Sequence, residues 1–113
     1  YLLGDVVDYT RERTDVGIDG YIVKIDASAA KANFKTAHIE QPVSVVYPSV
    51  TSGDDGYRNI SNILKTADAA LFSSNFTDAD EGWQKYLDMD SFVDWYLINE
   101  ISRNCDAAFV SSC

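Results

Sequence analysis

A change in the spacing of apolar residues near residue 50 constrains the fold of this chain more than any other feature. Before it, apolar residues form short strand-like segments, at residues 20–26 and 43–47. After it, they recur at three- and four-residue steps, which predicts an amphipathic helix of about four to five turns. These positions are Tyr57, Ile60, Ile63, Leu64, Ala67 and Leu71. Strands followed by helices predict an α+β fold.

The first half contains two further candidate elements besides these strands. Residues 36–39 are a further candidate strand, and residues 27–33 are compatible with a helical turn. Pro42 and Pro48 border the segment 43–47, and proline is found at edge strands or at strand ends. We therefore expect either that this strand lies at the edge of the sheet or that the prolines mark its ends.

A second long helix is predicted from Met89 to Ser102, with Asp88 as its N-cap. Large apolar side chains occupy much of its circumference, so we expect it to be deeply buried. They are Phe92, Trp95, Tyr96, Leu97, Ile98 and Ile101. A shorter helix around residues 83–87, capped by Thr77 or Asp78, is predicted before it.

The size and charge of the chain exclude several classes of protein. With 113 residues it forms one domain at most. The net charge is −9 and no basic stripe occurs, which excludes a nucleic-acid binder. No apolar run approaches the roughly 20 residues that a membrane-spanning helix requires. Both ends look cut from a longer sequence, so we expect a fragment of a larger domain.

The two cysteines, Cys105 and Cys113, leave two interpretations open. A zinc knuckle is excluded because no histidine or second cysteine pair lies nearby. The cysteines are either free, partly buried thiols or a local disulfide in an exported protein. Glycosylation triplets begin at Asn59 and Asn75, and they matter only in a secreted protein of a glycosylating source.

The end of the last helix carries the strongest candidate site. Glu100 and Asn104 are four residues apart, which places them on one helix face within mutual reach. Asn104 suits the helix end because asparagine tolerates the left-handed conformation. Asp106 follows in an exposed position, where it could act as a base or hold a cation. In the structural alternative, Asn104 terminates the helix and Asp106 caps the next segment.

Two other features give weaker signals. The acidic run at residues 78–82 superficially suggests a calcium loop, but an EF-hand needs glycine at its sixth position and glutamate at its twelfth. Trp83 and Met89 stand there instead. An acidic first helical turn explains the run better. His38 is the single histidine and has no serine or cysteine partner at a recognisable spacing, so we interpret it as a surface or hydrogen-bonded core residue.

The segment from residue 83 to 106 resembles the most characteristic block of the CotH kinase family. In that family an acidic residue precedes a Ser-Phe pair, and an aromatic-rich helix leads into Leu-x-Asn-Glu and then Asn-x-Asp. The matching residues are Asp90, Ser91, Phe92, Leu97, Asn99, Glu100, Asn104 and Asp106. Residues 1–3 and 20–26 are similar to two strands of the family, so the resemblance spans most of the chain.

The resemblance implies a fragment of a reduced atypical protein-kinase-like fold. One partial domain would cover residues 1–113, with strands and turns up to residue 50 and helices over residues 54–106. Its parent would transfer the γ-phosphoryl group of ATP to serine of a coat or surface protein, with Mg²⁺ or Mn²⁺. Asp106 matches the catalytic-loop aspartate that accepts or orients the hydroxyl proton, and Asn104 and Glu100 match supporting residues.

The resemblance also implies a location, and the chain departs from the pattern of the family at several positions. Members occur in spore coats, at cell surfaces, and in secreted and cellulosome-associated proteins. Asp5 and Lys24 stand where the family often has glutamate. The family's metal-binding aspartate follows Asn-x-Asp in a Trp-Asp-x-Asp segment, and its nucleotide-contacting strands lie upstream. We therefore expect the 113 residues alone to be inactive and to need the remaining segments of the domain.

One alternative belongs to a different class of function. The chain would then be a non-catalytic coat, surface or cellulosomal module that keeps the fold and binds a partner. A Trp-Asp-x-Asp segment after Cys113 would favour the enzyme, and its absence would favour the binding module.

Overall fold

The computed structural model describes residues 14–26, 33–39 and 41–104. Within these residues the strands come first and the helices second, which confirms the predicted α+β class. The elements are β1 (Ile22–Ile25), β2 (Asn33–Phe34), β3 (Val43–Tyr47), α1 (Asp55–Leu71), a 3-10 turn (Trp83–Lys85) and α2 (Met89–Ser102). The candidate helical turn at residues 27–33 lies almost entirely outside the described residues.

The described strands form one antiparallel sheet in the order β1-β3-β2. Val43 pairs with Ile25 on one side and with Phe34 on the other. Because β3 is the central strand, the edge position is wrong, and the alternative of strand ends is confirmed. Pro42 and Pro48 lie just outside β3, where neither removes an N–H donor from the strand itself.

The strand predicted at residues 36–39 is absent because a carboxylate takes backbone donors of this segment. The N–H groups of Ala37 and His38 donate to Oδ2 of Asp68 at 3.0 and 3.2 Å. The His38 ring nitrogen Nδ1 lies 3.0 Å from the same oxygen. Asp68 belongs to α1 and is buried, so this contact attaches the segment after β2 to the helix.

The core lies where α1 meets the sheet. α1 has 17 residues, a little under five turns at 3.6 residues per turn, as predicted. Tyr57 donates its hydroxyl to the Asn33 carbonyl at 2.7 Å, and its ring meets Phe34 edge-on. The buried apolar residues are Phe34, Val43, Ile60, Ala67 and Ala70. This core is small because the short sheet covers only a narrow stripe of α1.

Turns, and not a helix, connect α1 to the 3-10 turn. Asp78 Oδ1 accepts hydrogen bonds from the N–H groups of Asp80 and Glu81 at 2.8 and 3.0 Å. These bonds, that from Asp80 first, hold the pKa of Asp78 below its ordinary value. The acidic run therefore organises a turn, and the helix predicted around residues 83–87 is only a 3-10 turn.

Replacing Gly82 with alanine is expected to disrupt this connection. An added Cβ would lie closer than 3.0 Å to the carbonyl oxygens of Phe76 and Asp78. Overpacking of this kind costs about 1–3 kcal/mol, which urea denaturation would measure. Gly53→Ala is the matched control, because nothing lies within 4 Å of its added Cβ. Equal stability of the two variants would contradict the steric argument.

The second helix has the predicted bounds and the predicted cap, but not the predicted burial. Asp88 accepts the Asp90 N–H at 3.1 Å and the Ser91 hydroxyl at 2.7 Å. No residue of α2 is buried, and Ile98 and Ile101 are 66% and 82% exposed. A helix with apolar side chains around its whole circumference is buried only when other elements pack on every side of it. The described strands and α1 do not surround α2 in this way.

The cap of α2 is expected to respond to acid. The Ser91 hydroxyl, and then the Asp90 N–H, hold the pKa of Asp88 below its ordinary value of 3.8. A carboxyl group with a lowered pKa in the folded state stabilises that state above its unfolded pKa, and the stabilisation is lost as pH falls through the folded pKa. We therefore expect α2 to lose helix on acidification below pH 3.8.

A carbon-13 NMR titration of the Asp88 carboxyl group measures this directly, and a midpoint at or above 3.8 would contradict the capping geometry. Asp88→Asn is the control, because asparagine is an equally good N-cap that does not titrate. The helical circular dichroism of Asp88→Asn should therefore not show the decrease that the wild-type protein shows in acid.

Candidate functional site

The carboxyl end of α2 is a Schellman motif, which fixes the backbone at the candidate site. Arg103 adopts the left-handed conformation, with φ 51° and ψ 43°. Its N–H donates to the Glu100 carbonyl at 3.2 Å, and the Asn104 N–H donates to the Asn99 carbonyl at 3.0 Å. These bonds satisfy two carbonyls that a helix end otherwise leaves without partners.

The left-handed residue is Arg103, one position before the asparagine that the sequence favoured. A left-handed conformation costs a residue other than glycine roughly 1–2 kcal/mol. The two Schellman hydrogen bonds, at about 1 kcal/mol each, offset a cost of this size. The helix therefore ends where its carbonyls can be satisfied, and the preference of asparagine for this conformation does not decide the position.

A pair of side-chain amides reinforces the motif. Asn104 Nδ2 donates to Asn99 Oδ1 at 2.9 Å, and Asn99 Nδ2 donates to the Trp95 carbonyl at 2.7 Å. Schellman motifs often have an apolar contact near these positions, and here a polar pair replaces it. Asn104 is therefore held by its backbone and by its side chain.

Four residues around this end line a shallow depression of about 300 Å³: Asn99, Glu100, Arg103 and Asn104. The depression is open to solvent, and Glu100, Arg103 and Asn104 are exposed. A carboxylate, a guanidinium and two amides provide donors, acceptors and both signs of charge. The structure brings Glu100 and Asn104 to one surface, whereas Asp106, Cys105 and Cys113 lie outside the described residues.

The described residues do not by themselves fit a divalent metal. Mg²⁺ and Mn²⁺ prefer several oxygen ligands, usually with carboxylates among them. Glu100 is the one carboxylate among the residues that line the depression. In the described part of the chain, no group of three or more His, Cys, Asp or Glu side chains is arranged so that it could hold a metal ion.

Two interactions were missed by reasoning from the sequence. The sequence places Asn99 in a motif, but it does not indicate the amide pair with Asn104. The contact of His38 with Asp68 joins residues far apart in the sequence, and no local spacing indicates it. The His38 ring also stacks on Phe72, with ring centroids 4.0 Å apart.

Over residues 14–26, 33–39 and 41–104, neither helix combines the length and apolar character that crossing a membrane requires.

Comparison with known proteins identifies a family for this chain. A family model described as CotH kinase protein matches residues 1–113, the whole chain. Searches of curated proteins and of solved structures return no significant match. The family match includes the capped helix, its Schellman end and the Asn-x-Asp that follows. The chain therefore belongs to the CotH kinase protein family.

Proposed function

We propose that this chain is part of an atypical protein kinase that transfers the γ-phosphoryl group of ATP to serine of a coat or surface protein. The family match over the whole chain is the observation that carries the proposal. The ordered end of α2 supports it, because the residues that line the depression immediately precede Asp106 in the sequence. A spore-coat, cell-surface or secreted location belongs to the same proposal.

The proposed reaction assigns one role to each candidate residue. The serine oxygen attacks the γ-phosphorus, the bond from that phosphorus to the bridging oxygen breaks, and ADP leaves. Asp106 accepts the hydroxyl proton, while positioning and electrostatics supply most of the rate. Asn104 and Glu100 hold the chain before Asp106. ATP and Mg²⁺ or Mn²⁺ are the cofactors of this proposal, and it assigns no metal-ligand role to the described residues.

A labelling experiment tests the proposal with the full-length protein. The protein is incubated with γ-labelled ATP, Mg²⁺ or Mn²⁺ and a serine-rich coat-type protein. We expect label on serine, identified by mass spectrometry of the product. A substrate with its serines replaced by alanine is the matched control and should stay unlabelled. Absence of label from the serine-containing substrate would refute the proposal.

The exposed surface of α2 favours a second candidate, a non-catalytic binding module. Leu97, Ile98 and Ile101 expose 48–82% of their surface on one side of α2, and exposed apolar patches often mark interaction sites. In this case Ile98→Asp would abolish retention in the coat or at the surface, and Asp106→Asn would leave retention unchanged. Normal retention of Ile98→Asp would exclude a binding role for this surface.

A further inference from the structure

The side chain of Asn99 connects the body of α2 to Asn104. Its Nδ2 donates to the Trp95 carbonyl, and its Oδ1 accepts from Asn104 Nδ2. Asn99 is half-buried, whereas Asn104 is exposed. Both polar ends of the Asn99 amide are thus engaged, which leaves this side chain little freedom to rotate.

The contact with the Trp95 carbonyl determines how the Asn99 and Asn104 amides are oriented. A backbone carbonyl can only accept a hydrogen bond, so the nitrogen of the Asn99 amide must face Trp95. The oxygen of Asn99 then faces Asn104, which must approach with its own nitrogen. Asn104 Oδ1 is consequently turned away from Asn99. These two hydrogen bonds therefore determine the direction in which Asn104 Oδ1 points.

The backbone adds a second link between the same two residues. The Asn104 N–H donates to the Asn99 carbonyl as part of the Schellman motif. With hydrogen bonds from both its backbone and its side chain to one residue, Asn104 has a defined position as well as a defined orientation. Asp106 follows Asn104 by two residues, so this is the last described point before the proposed base.

We propose that Asn99 is a positioning residue for phosphoryl transfer, acting through Asn104. Its amide fixes the orientation of Asn104 and the place where the chain leaves α2 toward Asp106. This inference rests on the proposed kinase function. It differs from a purely structural capping role, because loss of the Asn99 side chain should impair turnover while α2 remains helical.

The test uses the full-length protein and the labelling reaction, with Asn99→Ala, Asn104→Ala and the double variant. We expect Asn99→Ala to lower kcat roughly tenfold to a hundredfold, the size of effect that a small misplacement of reacting groups produces. The KM for ATP should stay unchanged. The double variant should be no slower than Asn104→Ala alone, because Asn99 acts through Asn104.

Two further variants separate the contacts. Asn99→Ser keeps a hydroxyl that can donate to the Trp95 carbonyl, but it cannot reach Asn104, so it should be as slow as Asn99→Ala. Ser102→Ala is the matched control, because its hydroxyl donates to the Asn99 carbonyl at 3.3 Å without taking part in the amide pair. It should retain wild-type kcat. Unchanged kcat in Asn99→Ala, or additive losses in the double variant, would overturn the inference.

An NMR measurement tests, independently of activity, whether the Asn99 side chain orients the Asn104 side chain. In the wild-type protein the side-chain NH₂ resonances of Asn104 should be dispersed and show a nuclear Overhauser effect to Asn99. In Asn99→Ala they should shift and lose this effect, with helical circular dichroism unchanged. If the wild-type protein transfers no phosphate, the proposed function fails. Unaltered Asn104 signals in Asn99→Ala would refute the positioning inference in either case.

Discussion

Asp68→Ala should lower the free energy of unfolding by about 3 kcal/mol, the scale seen when one partner of a buried charged network is removed. The Asp68 side chain is only 2% exposed and receives donors from Ala37 and His38. Its loss leaves two backbone N–H groups without their acceptor and detaches the segment after β2 from α1. Urea denaturation, followed by circular dichroism, measures the change.

Comparison with His38→Ala separates the backbone contacts of Asp68 from its side-chain contact with His38. The His38 side chain is 42% exposed, so its loss removes one partly solvated hydrogen bond and should cost about 1 kcal/mol. Asp55→Ala is the matched control on the same helix, because the Asp55 side chain is 97% exposed. We expect it to cost less than about 1 kcal/mol. An Asp68→Ala variant as stable as His38→Ala would show that the backbone contacts contribute nothing.

Asp106→Asn is expected to reduce serine phosphorylation by the full-length protein about 10²- to 10⁴-fold, the usual contribution of a general base. Asparagine has nearly the same shape as aspartate but cannot accept the hydroxyl proton as a carboxylate does. Because ATP binding does not use this proton transfer, the KM for ATP should change little while kcat falls. Steady-state kinetics with a labelled product would separate the two constants.

The control for this substitution is Asp94→Asn, which makes the same chemical change at an exposed position of α2 outside the family motif. It should retain wild-type kcat. Equal labelling by wild-type protein and Asp106→Asn would remove the catalytic role of Asp106. A similar loss in Asp94→Asn would assign the effect to the charge of the helix surface.

Features set by neighbouring residues were predictable from the sequence. The bounds of α2 and its Asp88 cap were correct, because capping depends on contacts within one helical turn. α1 was predicted for a similar reason, since its apolar repeat extends over its whole length. The helix predicted around residues 83–87 is only a 3-10 turn at Trp83–Lys85, and the backbone bonds of Gly82 and Trp83 to the Asp78 and Phe76 carbonyls form turns before it.

Features set by distant residues were not predictable in this way. The central place of β3 depends on pairing with both β1 and β2, and prolines at its ends are compatible with either position. The segment at residues 36–39 has strand-like residues, but Asp68 takes its donors from 30 and 31 positions away. An aspartate on the buried side of a helix gives no local signal of its partner.

The candidate site was predictable in its location and less so in its geometry. The sequence placed Glu100 and Asn104 at the end of α2, and both line the depression there. It placed the left-handed residue at Asn104, whereas the Schellman hydrogen bonds require it at Arg103. The amide of Asn99 was overlooked because its role becomes apparent only when the chain turns back at the helix end.

The exposure of α2 has a consequence for local unfolding. α1 and the sheet share a buried core, whereas no residue of α2 is buried. An isolated helix of this length is marginal in water, so the Asp88 cap and the backbone bonds of the Schellman motif contribute much of the stability of α2. The helix should open at a lower free energy than α1, as a separate cooperative unit. Any partner that covers its apolar surface would therefore also determine how often the Asn104 end is ordered.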